Sequence, residues 1–197
     1  PLRNNGKSYF TDTWPHITHL FDVAQRWYPY IAPGTWPDCD MIPLGRISIR
    51  GERGEDRMTR LTHDEQYTLM NLFCIFRSPL MFGGDLPSND EFTLSLLTNK
   101  EVLRMHREGT NVRQLFQQDG KAAITSGNEK TGEVYLALFN LNDEGVSVID
   151  IPLKDLGIEK CRVTEMWSDK EVDQKGDKIS CSLQPHASVL YKLTPAN

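Results

Sequence analysis

A chain of 197 residues is long enough for one ordinary domain, or for one domain with a small companion. With 39% apolar and 25% charged residues and no biased tract it can bury a core, which argues against disorder. No apolar stretch approaches a spanning helix, so a membrane protein is not expected. The 22 basic and 27 acidic residues leave a net charge of −5 without a basic cluster, which argues against nucleic acid as a partner.

The first half alternates helical patterns with short apolar runs. Pro15, after the cap-type residues Asp12 and Thr13, opens a helix in which Ile17, Leu20, Phe21, Ala24, Trp27 and Tyr28 recur at helical spacing. Pro29 and Pro33-Gly34 stop it, and residues 36–41 read as a short extended run. Residues 45–56 are polar and Gly-bearing, which predicts a loop. Within it Arg50, Arg53, Arg57 and, just beyond, Arg60 interleave with Glu52, Glu55 and Asp56, so this basic run reads as solvated. Thr62-His63-Asp64-Glu65 is a capping box that starts a second helix, carrying Leu69, Met70, Leu72, Phe73 and Phe76 and ending before Pro79. Leu80-Met81-Phe82 reads as a buried strand closed by Gly83-Gly84. Ser88-Asn89-Asp90-Glu91 reads as another capping box, and Thr98-Asn99-Lys100-Glu101 restarts the helix. Strand, helix, strand, helix with short loops indicates parallel βα units.

After Thr110 the pattern changes to alternation. Strands are predicted over 112–117, 122–126, 134–140, 146–151, 161–167, 179–183 and 188–193, with turns at Asp119-Gly120, at 142–145 and at Lys175-Gly176-Asp177. Short strands at this spacing predict an antiparallel sandwich. Cys39, Cys74, Cys161 and Cys181 form no CxxC pair and read as buried free thiols, with a Cys161–Cys181 disulfide as the lesser alternative. Beginning at Pro1 without an initiator Met, the chain reads as processed or as a piece of something longer.

The densest chemical signal is Trp36-Pro37-Asp38-Cys39-Asp40-Met41. On a strand, Asp38, Asp40 and Trp36 share one face, and two adjacent carboxylates repel unless donors or a ligand hold them. The bland alternative is a strand-end turn with one capping Asp and a core Trp. A metal site drawing on His63 and Asp64 fits no standard ligand spacing, and both residues are accounted for by the helix start. His16, His19, His106 and His186 are scattered and read as surface or cap residues. No phosphate loop and no nucleophile elbow is present, and no metal or cofactor is expected.

These residues, with Glu65, with Phe76-Arg77-Ser78-Pro79-Leu80, with Gly84-Asp85-Leu86 and with Leu96-Leu97-Thr98-Asn99-Lys100-Glu101-Val102, resemble the α-galactosidases of glycoside hydrolase family 27, in order and spacing, from residue 14 to about 105. The resemblance implies the end of a (β/α)8 TIM barrel followed by an antiparallel β-sandwich: residues 1–110 as the last two barrel strands with flanking helices, residues 111–197 as the sandwich. A whole barrel takes about 250 residues. It further implies a retaining hydrolase of terminal α-galactosyl residues that works with two carboxylates. The family's nucleophile motif lies on a strand absent from this sequence. Its acid/base aspartate lies five residues before a tryptophan matching Trp14, where this chain has Tyr9. The Arg that precedes the acid falls at Asn5, and a shift that pairs it with Arg3 supplies no carboxylate. Asp12 matches a second aspartate of that motif. No catalytic residue is therefore expected in this chain. Asp40 and Met41 match sugar-contacting positions, Trp36 is a candidate for packing on the ring, and Asp38 is a supporting carboxylate. The expected partner is an α-galactoside or related carbohydrate, and the incomplete barrel is expected to favour self-association. A competing reading is a non-catalytic sugar-binding or interaction protein derived from the family.

Overall fold

The computed structural model describes residues 11–174 and 176–196; Arg3, Asn5, Tyr9 and Lys175 lie outside them. Helix α1, Trp14–Trp27, turns Ile17, Leu20, Phe21 and Ala24 inward and passes into a 3-10 turn at Tyr28–Tyr30. Two short strands, β1 (Met41–Ile42) and β4 (Met81–Phe82), pair in parallel with Met41 beside Met81. Between them lie a small antiparallel hairpin, β2 (Arg46–Ile47) with β3 (Arg57–Met58), and helix α2, His63–Phe76. Helices α3 (Glu91–Thr98) and α4 (Lys100–Glu108) follow.

Eight further strands make the antiparallel part: β5 (Thr110–Gln118), β6 (Lys121–Gly127), β7 (Val134–Asn140), β8 (Ser147–Pro152), β9 (Cys161–Glu165), β10 (Lys170–Val172), β11 (Lys178–Leu183) and β12 (Ser188–Pro195). Six of them form one sheet in the order β10-β9-β12-β7-β6-β5, and β8 pairs with β11 as a second, two-stranded layer. The predicted strands all occur, within a few residues at their ends; β10 and the β2/β3 hairpin are additional.

The β7 sequence Val134-Tyr135-Leu136-Ala137-Leu138-Phe139 explains the layering. A strand with one wet face alternates apolar and polar residues; a run apolar throughout is covered on both faces. Leu136 and Leu138 turn toward Ile149, Ile151 and Ile179 of the β8/β11 layer. Tyr135, Ala137 and Phe139 turn the other way, into a core built from α1, α2 and α4. The rings of Phe21 and Phe139 meet edge to face at 4.8 Å. Helix α2 lies in the middle of this core: Leu69, Met70, Leu72, Phe73, Cys74, Ile75 and Phe76 have no exposed surface. A helix apolar on all sides needs neighbours on all sides.

The predicted capping box of α2 is present: Glu65 N donates to Thr62 Oγ1 at 3.3 Å and Thr62 N to Glu65 Oε2 at 2.8 Å. The second predicted box is not. Ser88 donates its hydroxyl to Asp85, and Asp90 caps α3 by accepting from Thr93 N at 2.7 Å. Asn99 caps α4. Thr13, at the N-cap of α1, makes no side-chain cap bond. All four cysteines are free, and burial pushes the Cys39, Cys74 and Cys181 thiols up to about 12.

A sandwich that folds by itself would need a polar outer face. Here that face carries Tyr135, Phe139 and Leu190, all buried against the helices. One shared core predicts one cooperative thermal transition for the whole chain. Phe139→Ala should lower stability by about 3–5 kcal/mol without splitting the transition, as calorimetry would show. Residues 111–196 alone should self-associate.

Candidate functional site

The segment that leads into β1 is not a regular strand. Residues 36–40 pair with no neighbouring strand among the described residues, and Asp40 has a φ of 73°, in the left-handed region. The expected common face of Asp38 and Asp40 is therefore lost. A local pair of bonds replaces it: Asp40 N donates to Asp38 Oδ1 and Met41 N to Asp40 Oδ1, both at 2.8 Å. Aspartate tolerates this conformation because its short side chain bonds to nearby backbone. The break has a geometric result. Asp40 and Met41, consecutive residues, are both exposed, where strand alternation would bury one of them.

Cys39, between the carboxylates, points inward and its amide donates to Ser78 Oγ at 2.9 Å. Its raised pKa keeps the thiol protonated at neutral pH and without nucleophilic character. Trp36 is held differently from Asp40. The Arg77 guanidinium lies over its ring, 5.5 Å from the centroid, while donating to the carbonyls of His106 and Arg107 at the end of α4. Arg77 follows α2 and precedes β4, so Trp36 belongs to the side where the chain enters the strands.

On the exit side, Gly83 and Gly84 let the backbone come close. A Cβ on Gly83 would stand 3.1 Å from Met41 Cβ, and one on Gly84 would stand 2.2 Å from Leu44 O. Gly83 N donates to Ile42 O, and Asp85 N to Arg46 O. The hairpin beyond, expected as a solvated loop, is ordered by two ion pairs. Arg46 is bidentate to Asp56. Arg57 reaches Asp12, 45 residues earlier, at 2.6 and 3.1 Å, and Arg60 N adds a bond to the same carboxylate. Asp12 is fully buried; it ties α1 to the hairpin rather than capping the helix.

His16, expected as a surface or cap residue, is instead partly buried and lies close enough to Asp40 and Asp12 to feel their charge. Burial and then His19 push its imidazole pKa down, while Asp40 and Asp12 pull it up. Its Nδ1 is buried without a hydrogen-bond partner. His63 stacks on Phe92 at 3.8 Å, and no group of three His, Cys, Asp or Glu residues able to hold a metal ion occurs among the described residues. The arrangement offers hydrogen-bond acceptors and an apolar methionine side by side, which suits binding a polyhydroxylated ligand.

The close approach at Gly84 carries a direct test. Gly84→Ala pushes a methyl into the Leu44 carbonyl and the Phe82 ring, so we expect a loss of about 1–3 kcal/mol in urea unfolding. Gly132→Ala, with open space around it and a φ of 72°, should show only the smaller cost of its left-handed backbone.

The comparisons with known proteins agree with this architecture. A family model described as the alpha galactosidase C-terminal beta sandwich domain matches residues 119–193. Alpha-galactosidase 2 of Arabidopsis thaliana is 25% identical over 188 residues, 93% of this chain and 44% of that protein. An alpha-galactosidase of Oryza sativa subsp. japonica is 24% identical over 188 residues, 93% of this chain and 42% of that protein. The crystal structure of a family 27 β-L-arabinopyranosidase from Geobacillus stearothermophilus shares 43% identity and a TM-score of 0.89, over 95% of this chain and 43% of that one. A structure of a putative alpha-N-acetylgalactosaminidase from Bacillus halodurans shares 38% identity and a TM-score of 0.88, over 95% of this chain and 44% of that one. The chain thus spans less than half the length of these relatives. In fold and in sequence the chain matches the C-terminal region of family 27 α-galactosidases and related glycosidases.

Proposed function

We propose that this chain forms the closing part of a retaining glycoside hydrolase acting on terminal α-D-galactosyl residues or their close stereochemical relatives. Residues 1–110 supply the end of the barrel and residues 111–197 the sandwich. The observation that carries the reading is the exposed Asp40–Met41 pair beside a parallel strand pair, in a chain matched along 95% of its length by a family 27 glycosidase. β-L-Arabinopyranose has the ring of α-D-galactose without the hydroxymethyl group. A residue that reads ring hydroxyls therefore serves both sugars, and what separates them lies elsewhere.

In this reading Asp40 accepts hydrogen bonds from sugar hydroxyls and Met41 lines the apolar side of the ring. Asp38 acts through the backbone: by holding Asp40 N it fixes the turn that presents the Asp40 carboxylate. Trp36, braced by Arg77, supports the strand entry and is the weaker candidate for a ring contact. Bond cleavage by retention needs a nucleophile and an acid/base about 5–5.5 Å apart, and this chain contributes neither. The exposed Met41 and Met81 side chains, 54% and 58% accessible, are the surface through which further barrel strands, or a second copy, would be buried. The competing reading, a sugar-binding protein without hydrolysis, draws on Tyr9 at the acid position.

Two measurements test the proposal. The purified chain should show no turnover of p-nitrophenyl α-galactoside above blank; activity in homogeneous protein would mean that a catalytic carboxylate lies within it. In a complete barrel ending in this sequence, Asp40→Asn should reduce kcat/KM by roughly 10–150-fold, the equivalent of one charged hydrogen bond, at unchanged Tm. Asp38→Ala should lower Tm. The reverse pattern would exchange the two roles, and a barrel inactive even with Asp40 intact would favour the binding protein.

A further inference from the structure

Ser48 follows β2 and combines two unfavourable features. Its φ is 60°, a left-handed value that favours glycine over serine, and its hydroxyl is buried without a hydrogen-bond partner. The residue as a whole is 4% exposed. Glycine would relieve both features. Strain and an orphaned polar group at one residue point to a partner that the free protein lacks.

Ser48 lines a pocket of about 370 Å³ between the hairpin and the Gly83-Gly84-Asp85 turn. The pocket adjoins the candidate sugar face, because Gly83 packs directly on Met41. We propose that it binds a neutral pyranose ring, the second sugar unit of the substrate; its place as a neighbouring subsite rests on the Asp40 reading. The charges favour a neutral ligand. Two cations, Arg46 and Arg50, face two anions, Glu52 and Asp85, so a phosphate or an ammonium group would meet like charge on entering. Arg46 is neutralised by Asp56, and Asp85 holds the Ser88 hydroxyl. Glu52 accepts from Arg50 N through Oε2. That leaves its second oxygen and the Arg50 guanidinium uncommitted among the described residues, a donor and an acceptor suited to vicinal hydroxyls. Ile49, 44% exposed, offers a surface for the C–H face of a ring. The Ser48 hydroxyl, at the pocket wall, would then meet a sugar hydroxyl.

The test is amide-resolved NMR titration of this chain with galactose and with α-galactosyl-(1→6)-glucose. Galactose should shift Asp40 and Met41; the disaccharide should also shift Ser48, Gly83 and Gly84 and bind at least about fivefold more tightly. Ser48→Ala should abolish the pocket shifts and the gain in affinity without lowering Tm, since it removes a hydroxyl that nothing in the free protein uses. Disaccharide shifts confined to Asp40 and Met41 would overturn the pocket and leave the Asp40 reading intact. So would a Ser48→Ala chain that keeps the gain, which would make the hydroxyl a water-holding group only. Pocket shifts without any at Asp40 and Met41 would support the pocket and remove the Asp40 reading. No shift with either sugar at about 100 mM, beyond ordinary weak binding, would overturn the pocket.

Discussion

Helix α2 is the constraint on which the rest depends. Its apolar residues occupy the whole circumference, so no single neighbour can cover it. Helices α1 and α4 and the inner face of the six-stranded sheet all pack against it. The same helix sets the crossover between β1 and β4. The position of the candidate sugar face is thereby coupled to the packing of a sheet far along the chain. Polar groups fix the register of that packing. Asn71, fully buried in α2, donates to Ser188 Oγ and accepts from Trp167 Nε1, and Thr68 donates to the His186 carbonyl. Each is a buried group that loses its partner if the sheet slides, and an unpaired buried polar group costs about 1–3 kcal/mol. Apolar burial holds the layers together, and these bonds choose one arrangement among the many that would bury similar area.

A second set of ties surrounds the site itself. Asp12 is buried at the start of α1 and is compensated by Arg57 and the Arg60 amide from the hairpin. A buried pair adds little net stability over an apolar pair, but losing one member leaves a charge in the interior. Its effect is to specify position: α1 cannot shift without the hairpin. Arg104 performs the same task between α4 and the sheet, bonded to Glu133 and Glu101, with Lys192 closing the group. The hairpin beyond β1 is thus held by a charge pair whose partners lie 45 residues apart, where a solvated segment was expected.

What could be read from the sequence follows from this division. Local signals were legible: the Thr62–Glu65 capping box, the Pro79 stop, the alternation of the later strands and the Asp119-Gly120 turn. So was the family, through Trp36 to Met41 and the segments after it. Features that depend on distant partners were not. Nothing in an Arg-rich polar stretch signals that Arg57 meets Asp12. The Ser88 box failed because Asp85 captured the Ser88 hydroxyl first. The extended run at 36–41 broke at Asp40, a residue whose side chain can satisfy its own neighbourhood. The doubly covered sheet did leave a trace in the uninterrupted apolar run of β7, which a one-faced sandwich would not require. Ser48 left none, since a serine in a polar loop gives no hint of burial.

Strained residues arrange themselves by whether the strain is compensated. Asp40, Asn111, Asp119 and Asp169 have positive φ, but Asn and Asp visit that region at small cost. Three other residues share it: Arg77, His186 and Ser48. Arg77 ends α2 in the left-handed form, where glycine is usual, and its side chain is bound to two carbonyls of α4. His186 is stacked on Trp14 and bonded to Glu65 and Asp143. In both, the conformation places a side chain that then makes several contacts across the shared core, and those contacts offset the backbone cost. Ser48 has the same backbone cost without such contacts, and its hydroxyl adds a second cost. Folding alone favours glycine there. A residue that the fold does not need, beside the Asp40–Met41 face proposed to bind sugar, is where selection for binding is the simplest physical account.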